Sequence, residues 1–290
     1  VRQQRIAPAT DRKHVAAWNG YTIAGLARAA CVLDDPAVLD DARRAADFVL
    51  GEMVDAKGRL QRVHNEGRAH VHGFLDDHAA MLHACLDLQR AGAGDAYLGE
   101  ARRLADALLA HFADREAGIL YLTADDGDPL IHRPRSDHDG ATPDASGLAL
   151  LGLVRLAALA EDHALEDFVD RAIAEHALFL ERAAHAFPTL LRAVALRTRG
   201  VSVAVVVGDP EDAVTRALAD RARRVLRPED AVVVVAPGAT PPAEVAPSWL
   251  AGREAVDGRP TAYVCLGTAC SLPVQEPSAL VAELVPTSSS

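Results

Sequence analysis

A chain of 290 residues, 50% of them hydrophobic, can cover a substantial core as one large domain or two smaller ones. Lys and Arg total 30 against 41 Asp and Glu, and the net charge of -11 argues against attraction to nucleic-acid phosphates or anionic membrane surfaces. No apolar run approaches the roughly 20 residues of a membrane helix, since the stretch from Leu148 to Ala160 is short and carries Arg155, so a soluble chain with neither partner is expected.

The first residues, VRQQRIAPATDRK, hold no apolar signal core and do not begin with Met, which reads as an excised fragment or a processed chain. From Val15 to about Arg197 the pattern is helix, turn, helix, repeated in pairs. HVAAWNGYTIAGLARAACVL has apolar residues at helical spacing, and DDPAVLDDARRAADFVLGEM follows, with Asp35 as N-cap and Pro36 at the first helical position. GFLDDHAAMLHACLDLQRA and DAYLGEARRLADALLAHFA form a second pair around the Gly-rich GAGD. DASGLALLGLVRLAALAED and ALEDFVDRAIAEHALFLERA form a third.

Linkers within a pair are short, whereas those between pairs, DAKGRLQRVHNEGRAHVH and DREAGILYLTADDGDPLIHRPRSDHDGATP, are long, rich in His, Asp and Arg, and able to form small extended hairpins. Long polar loops in a compact helical domain usually carry function, and here they would leave the same end of every hairpin. That regularity predicts a mainly α fold, a partial alpha/alpha toroid, with its site where the loops converge. Beyond Leu196 the pattern changes to strand, helix, strand, in VSVAVVVGD, PEDAVTRALADRARRVLR and AVVVVAPG, a small βαβ element. The expected units are 1–200 for the toroid portion, 201–240 for the βαβ element, and 241–290 for an extension with a Cys pair and a disordered TSSS end. Gly208 and Asp209 lack a GxGxxG or a phosphate-loop lysine around them, so no nucleotide or other cofactor is implied.

Four cysteines are too few for a disulfide scaffold, and a reducing cytoplasm fits best. Cys31 and Cys85 sit in apolar helical stretches as small buried hydrophobes. Cys265 and Cys270 lie close enough for a disulfide or for half of a metal site, although no second Cys pair exists to finish a four-thiolate centre.

Asp76 and Asp77 open the third helical stretch, where either carboxylate can cap backbone N–H groups or line a cleft. His83 follows Asp76 by seven residues, close to two turns, so both point in nearly the same direction about 10 Å apart. A glycosidase needs a proton donor and a second carboxylate on opposite sides of the scissile bond, and a sugar epimerase needs acid/base groups facing both sides of one carbon. Neighbouring Asp76 and Asp77 diverge by about 100° and cannot be that opposed pair; the loop with Asp137, His138 and Asp139 offers the second group, or is a solvated turn. The expected catalytic set is Asp76, Asp77, His83 and Asp139. Trp18 and Asn19 suit a sugar, through an indole face and an amide, or anchor the core. They join His72 and Arg133 as expected substrate-binding residues. Arg133 and Arg135 could instead be plain loop charges. His70 and His72 share one face of an extended segment, but no third ligand or HExxH completes a metal site.

RIAPATDRKHVAAWNG, GFLDDHA, DHDGATPDASG and the closing AYVCLGTACSLPV together resemble the C-terminal region of the spermatogenesis-associated protein 20 family. The matching residues are Asp11, Lys13, Trp18, Asn19 and Gly20, then Gly73 to Asp77 with Ala79. The resemblance implies a six-hairpin glycosidase-like toroid preceded by a thioredoxin-like domain, of which this chain holds about three hairpins and no thioredoxin-like part. His78 stands where the family looks to have Tyr, and PDASG replaces its Ser-Gly-Asn ending. The implied function is a carbohydrate-active toroid relative, hydrolase or epimerase, or else a noncatalytic interaction module. Its partners would be a small carbohydrate, a thioredoxin-like domain or completing chain, or further copies in a homo-oligomer, because a half ring exposes apolar helix faces.

Overall fold

The computed structural model describes residue 5, residues 10–135 and residues 138–281. Asp137 and the TSSS end lie outside the described residues. Strand β1 (His14–Val15) leads into helix α1 (Ala16–Leu33), and α2 (Pro36–Glu52) returns beside it. The Asp35 carboxylate accepts a hydrogen bond from Ala37 N while Pro36 occupies the first helical position, the cap expected from the sequence. The long linker folds as the hairpin β2 (Gln61–Asn65) and β3 (Arg68–His72), and β1 pairs with β2 to make a three-stranded sheet. The second helical pair is α3 (Leu75–Arg90) and α4 (Ala96–His111), and the short ribbon β4 (Ala113–Asp114) and β5 (Ile119–Leu120) follows.

The third pair is α5 (Ala145–Ala160) and α6 (His163–Glu175), with α7 (Ala177–Ala183) continuing from α6. A further helix, α8 (Pro188–Arg199), packs on α5 and was not separately visible in the sequence. Helices α1, α3, α5 and α8 stand side by side as one row, and α2, α4 and α6 lie outside it. Every residue of α3 except Asp76 is buried, and α5 is nearly so, which explains why their sequences are apolar around most of the helix. Glycines let this row close up. A Cβ on Gly20 would lie 2.7 Å from the Ala80 carbonyl carbon across the α1–α3 seam, and one on Gly152 would lie 2.7 Å from Leu82 across the α3–α5 seam. The methyl at Gly20 meets backbone and would force α1 and α3 apart, whereas that at Gly152 would first displace the Leu82 side chain.

Strand β6 (Ser202–Val207), helix α9 (Ala213–Val225) and strand β7 (Ala231–Val235) make the expected βαβ element, with β6 and β7 parallel. Strands β8 (Thr261–Leu266) and β9 (Ala269–Cys270) then extend its sheet in the order β7-β6-β8-β9, so residues on both sides of position 240 build one sheet. All six residues of β6 are buried because both sheet faces are covered. Val203, Val205, Val233 and Tyr263 join the core of the helical row, while Ala204, Val206, Val232 and Val264 pack on Leu218 and Ala222 of α9. Arg90, at the end of α3, ties the layers together by donating to the carbonyls of Arg223, Leu226, Arg227 and Asp230. Cys265 and Cys270 face each other across β8 and β9 and form a disulfide.

Candidate functional site

The N-terminal ends of α1 and α3 meet at one carboxylate. Asp77 is fully buried, and its Oδ1 accepts from Ala17 N at 2.9 Å, sixty residues away in the chain. Its Oδ2 accepts from Phe74 N at 2.9 Å and from Arg62 Nη1 at 2.6 Å. Phe74 precedes α3 without a capping oxygen of its own, so Asp77 serves the first turns of two helices at once. Burial, and then the neighbouring Asp76, push the Asp77 carboxyl up to about 6, against the pull of Arg62 and the two backbone N–H groups.

Asp76 is its partly exposed companion. Arg62 Nη1 donates to both Asp76 oxygens, at 2.9 and 3.2 Å, while its guanidinium lies 4.8 Å from the centre of the Phe74 ring. The two adjacent carboxylates are therefore clamped by one cation and do not oppose each other. Tyr21 stands half-buried one turn along α1 from Ala17, and burial followed by Asp76 and Asp77 pushes its phenol up to about 12. Trp18 is 63% exposed and Phe74 37% exposed at this same end. Asn19 turns back to donate from Nδ2 to Val15 O at 2.9 Å, and so supports the helix start. Phe74 is thus a partly exposed ring against the Arg62 guanidinium, and Trp18 is exposed next in the chain to the Ala17 that Asp77 holds.

The other expected residues lie elsewhere. His83 is buried between α3 and α5, with Nε2 donating to Leu148 O at 2.9 Å and Nδ1 accepting from Arg155 Nη1 at 3.3 Å. Both nitrogens are engaged, and burial followed by Arg155 pushes the imidazole down to about 4. A neutral, sequestered ring has no route to substrate, so the structure corrects the expectation that His83 lines a cleft with Asp76. Asp139 accepts from Thr189 N at 3.1 Å, from the Thr189 hydroxyl, and from Asp144 N at 3.0 Å. It pins its loop to the starts of α5 and α8, which is structural work. Arg133 donates to Thr123 O and His111 O and stacks over Tyr121 at 4.2 Å, so it too holds a loop. His72 is exposed on β3, 3.3 Å from Gln61 Nε2.

The sequence pattern marks neither Arg62 nor Tyr21. Nothing in QRVHN marks Arg62 as the clamp of a carboxylate pair in the next helix. Among the described residues one group could gather metal ligands, His111 with Asp125 and Asp126, whose ligand atoms lie within 4.8 Å of one another. It is largely exposed, and Arg59 already pairs with Asp126. Among the described residues no helix is long and apolar enough to cross a membrane.

The row of inner helices backed by outer ones is that of the alpha/alpha toroid of six-hairpin glycosidase type. It matches the cellobiose 2-epimerase of Bacillus thermoamylovorans at a TM-score of 0.52 and 14% identity, over 76% of this chain and 64% of that one. It matches a GH76 alpha-mannanase of Bacteroides thetaiotaomicron at a TM-score of 0.52 and 15% identity, over 75% of this chain and 59% of that one. Likeness at that identity defines the fold alone. By sequence the chain is homologous to spermatogenesis-associated protein 20, at 30% identity to both the human and the rat proteins over 97% of this chain. It spans 37% of the length of those relatives. No family model matches the chain.

Proposed function

We propose that the chain is the sugar-binding portion of a carbohydrate-active toroid, a glycoside hydrolase or sugar epimerase, with its site at the starts of α1 and α3. The observation that carries this is the Arg62 and Asp76 pair with the exposed Phe74 ring against its guanidinium, at the helix starts where Trp18 is also exposed. An indole face packs on the apolar face of a pyranose, and a carboxylate with a guanidinium offers acceptors and donors to its hydroxyls. Asp76 is the carboxylate of this cluster open to a substrate, and it is the proton-transfer group in this reading. Both reactions need a second group on the far side of the sugar. Asp77, His83 and Asp139 are committed to the fold, so that group comes from the remainder of a closed ring. Ligand-observed NMR against a panel of mono- and disaccharides tests the site. Trp18→Ala and Asp76→Asn are each expected to weaken binding by about tenfold. Unchanged binding in both variants would sink the proposal.

A second reading, an interaction module, rests on the open flank of α1 at the end of the row. Val32 is 74% exposed and Leu33 66% exposed, on the helix that also exposes Trp18. A helix with such a face is covered in a complete assembly, here by another copy of the chain. Sedimentation equilibrium is expected to show self-association that Leu33→Asp abolishes. A monomer at every concentration removes this reading and leaves the sugar site untouched.

A further inference from the structure

A cavity of about 290 Å3 opens between the C-terminal ends of α5 and α8, the start of α6 and the turn joining β8 to β9. It lies at the other pole of the molecule from Asp76, because α5 runs alongside α3 for 16 residues, about 24 Å at about 1.5 Å per residue. Its walls are apolar, with Val154, Val169, Leu196 and Trp249 lining it, all of them buried. The Trp249 Nε1–H is already used, donating to the carbonyls of Ala158 and Leu159 at 3.3 and 3.1 Å. The indole therefore offers the cavity apolar surface and no donor.

The mouth has the opposite character. Glu161 and Glu166 stand there, with Arg197 as the cation among the lining residues, and His163 Nδ1 lies 3.2 Å from Glu166 Oε2. Arg197 is committed to Asp170, with Nε and Nη2 donating to its two oxygens at 2.8 and 2.9 Å, and Nη1 lies 3.7 Å from Glu166. Two carboxylates, Glu166 and Asp170, thus share one guanidinium, and Glu161 lines the same mouth. The ends of α5 and α8 bring the negative poles of two helices to the same opening, against the positive pole at the start of α6. Glu161 is exposed and closes α5 in a left-handed conformation, at φ 51°, beside the entrance.

We infer that this cavity binds a small primary amine with an apolar body. The body packs against Val169, Leu196 and Trp249, and the ammonium sits at the mouth, donating to Glu161 and Glu166. An anion of the same shape meets like charge at the mouth, and a neutral analogue gains only the apolar contact. A volume near 290 Å3 lies at the small end of ligand sites, which limits the body to about one ring with a short arm.

The chain has two tryptophans, which makes the test direct. In Trp18→Phe, emission reports Trp249 alone. Titration with phenethylamine, 2-phenylethanol and phenylacetate compares one body with three heads. The expected result is a saturable change in Trp249 emission, with phenethylamine binding about tenfold or more tighter than phenylacetate and 2-phenylethanol in between. Ala158→Phe, at a half-buried lining position, is expected to abolish the response. Glu161→Gln with Glu166→Gln leaves the cavity open and is expected to erase the preference for the amine, so a failure of Ala158→Phe to fold does not end the test. Equal binding of amine and carboxylate, an amine preference that survives the double glutamine variant, or no saturable response to any of the three would each overturn the inference.

Discussion

Acidification from pH 7 to pH 4 is expected to cost the fold about 3 kcal/mol, through two buried histidines partly offset by one buried aspartate. His78 donates from Nδ1 to Phe74 O at 2.9 Å, lies against Phe112, and has no partner for Nε2 among the described residues. Burial pushes it down to about 4, as burial and Arg155 do His83. In the unfolded chain each imidazole titrates at 6.5, so between pH 6.5 and 4 the unfolded state takes up protons that the native state refuses. Stability is therefore lost as the pH falls through that window. By pH 4 the gap between 6.5 and about 4 has cost about 3 kcal/mol per histidine, or about 6 for the pair. Asp77 works in the other direction: its folded carboxyl is pushed up to about 6 from 3.8, so the native state gains a proton first as the pH falls. That returns about 3 kcal/mol by pH 4. Urea unfolding at pH 7, 5.5 and 4 measures the profile. In His78→Gln with His83→Gln the acid limb should reverse, leaving a protein more stable at pH 5 than at pH 7. An unchanged acid slope in that double variant would remove the histidines as its cause. Asp126, Asp162 and Asp170, each held below its usual range, act only at still lower pH.

Much of the architecture is legible in periodicity. Apolar residues at helical spacing mark the three helical pairs, and Gly- and Pro-bounded β-branched runs mark β6 and β7. Helix α8 is obscured because it follows α6 and α7 through a continuously apolar and charged stretch whose break at Phe187 and Pro188 is short. Strand β8 is a six-residue run within a segment whose plainest signal is its cysteines, and its place beside β6 is a long-range pairing that no local pattern specifies.

The site is less legible, for a geometric reason. Acids in the first turn of α3 announce a helix start, and that role holds for Asp77. Its second role, holding the first turn of α1, depends on which helix lies alongside. His83 lies two turns after Asp76 on α3, yet it is buried where Asp76 is open. Periodicity cannot say that α5 covers that face, because a helix packed on all sides has no solvent face for the pattern to reveal.

The other large effect is expected at Asp87, where α1, α3 and α5 exchange charge inside the core. Arg155 Nη2 donates to Asp87 Oδ1 at 2.7 Å and Arg28 Nε to Oδ2 at 2.7 Å. Against a burial that works the other way, Arg155 and then Arg28 hold the carboxyl below its usual range. The side chain of Arg28 is 32% exposed and can swing to water, whereas that of Arg155 is 5% exposed and cannot. Asp87→Ala leaves Arg155 charged and buried, and is expected to cost about 3–5 kcal/mol. Asp87→Met together with Arg155→Met removes both buried charges and should recover most of that loss, because the desolvation cost disappears with the pair. Urea midpoints for the two single variants and the double variant measure the coupling directly. A cost below about 1 kcal/mol for Asp87→Ala would show that the guanidinium finds water or another acceptor. Three inner helices are tied together by this one carboxylate in their C-terminal halves, and α1 and α3 also by Asp77 at their starts. If the proposed sugar site holds, affinity there is expected to stay unchanged in the Met pair and to fall only where the α1–α3 seam itself opens, as in a variant of Asp77.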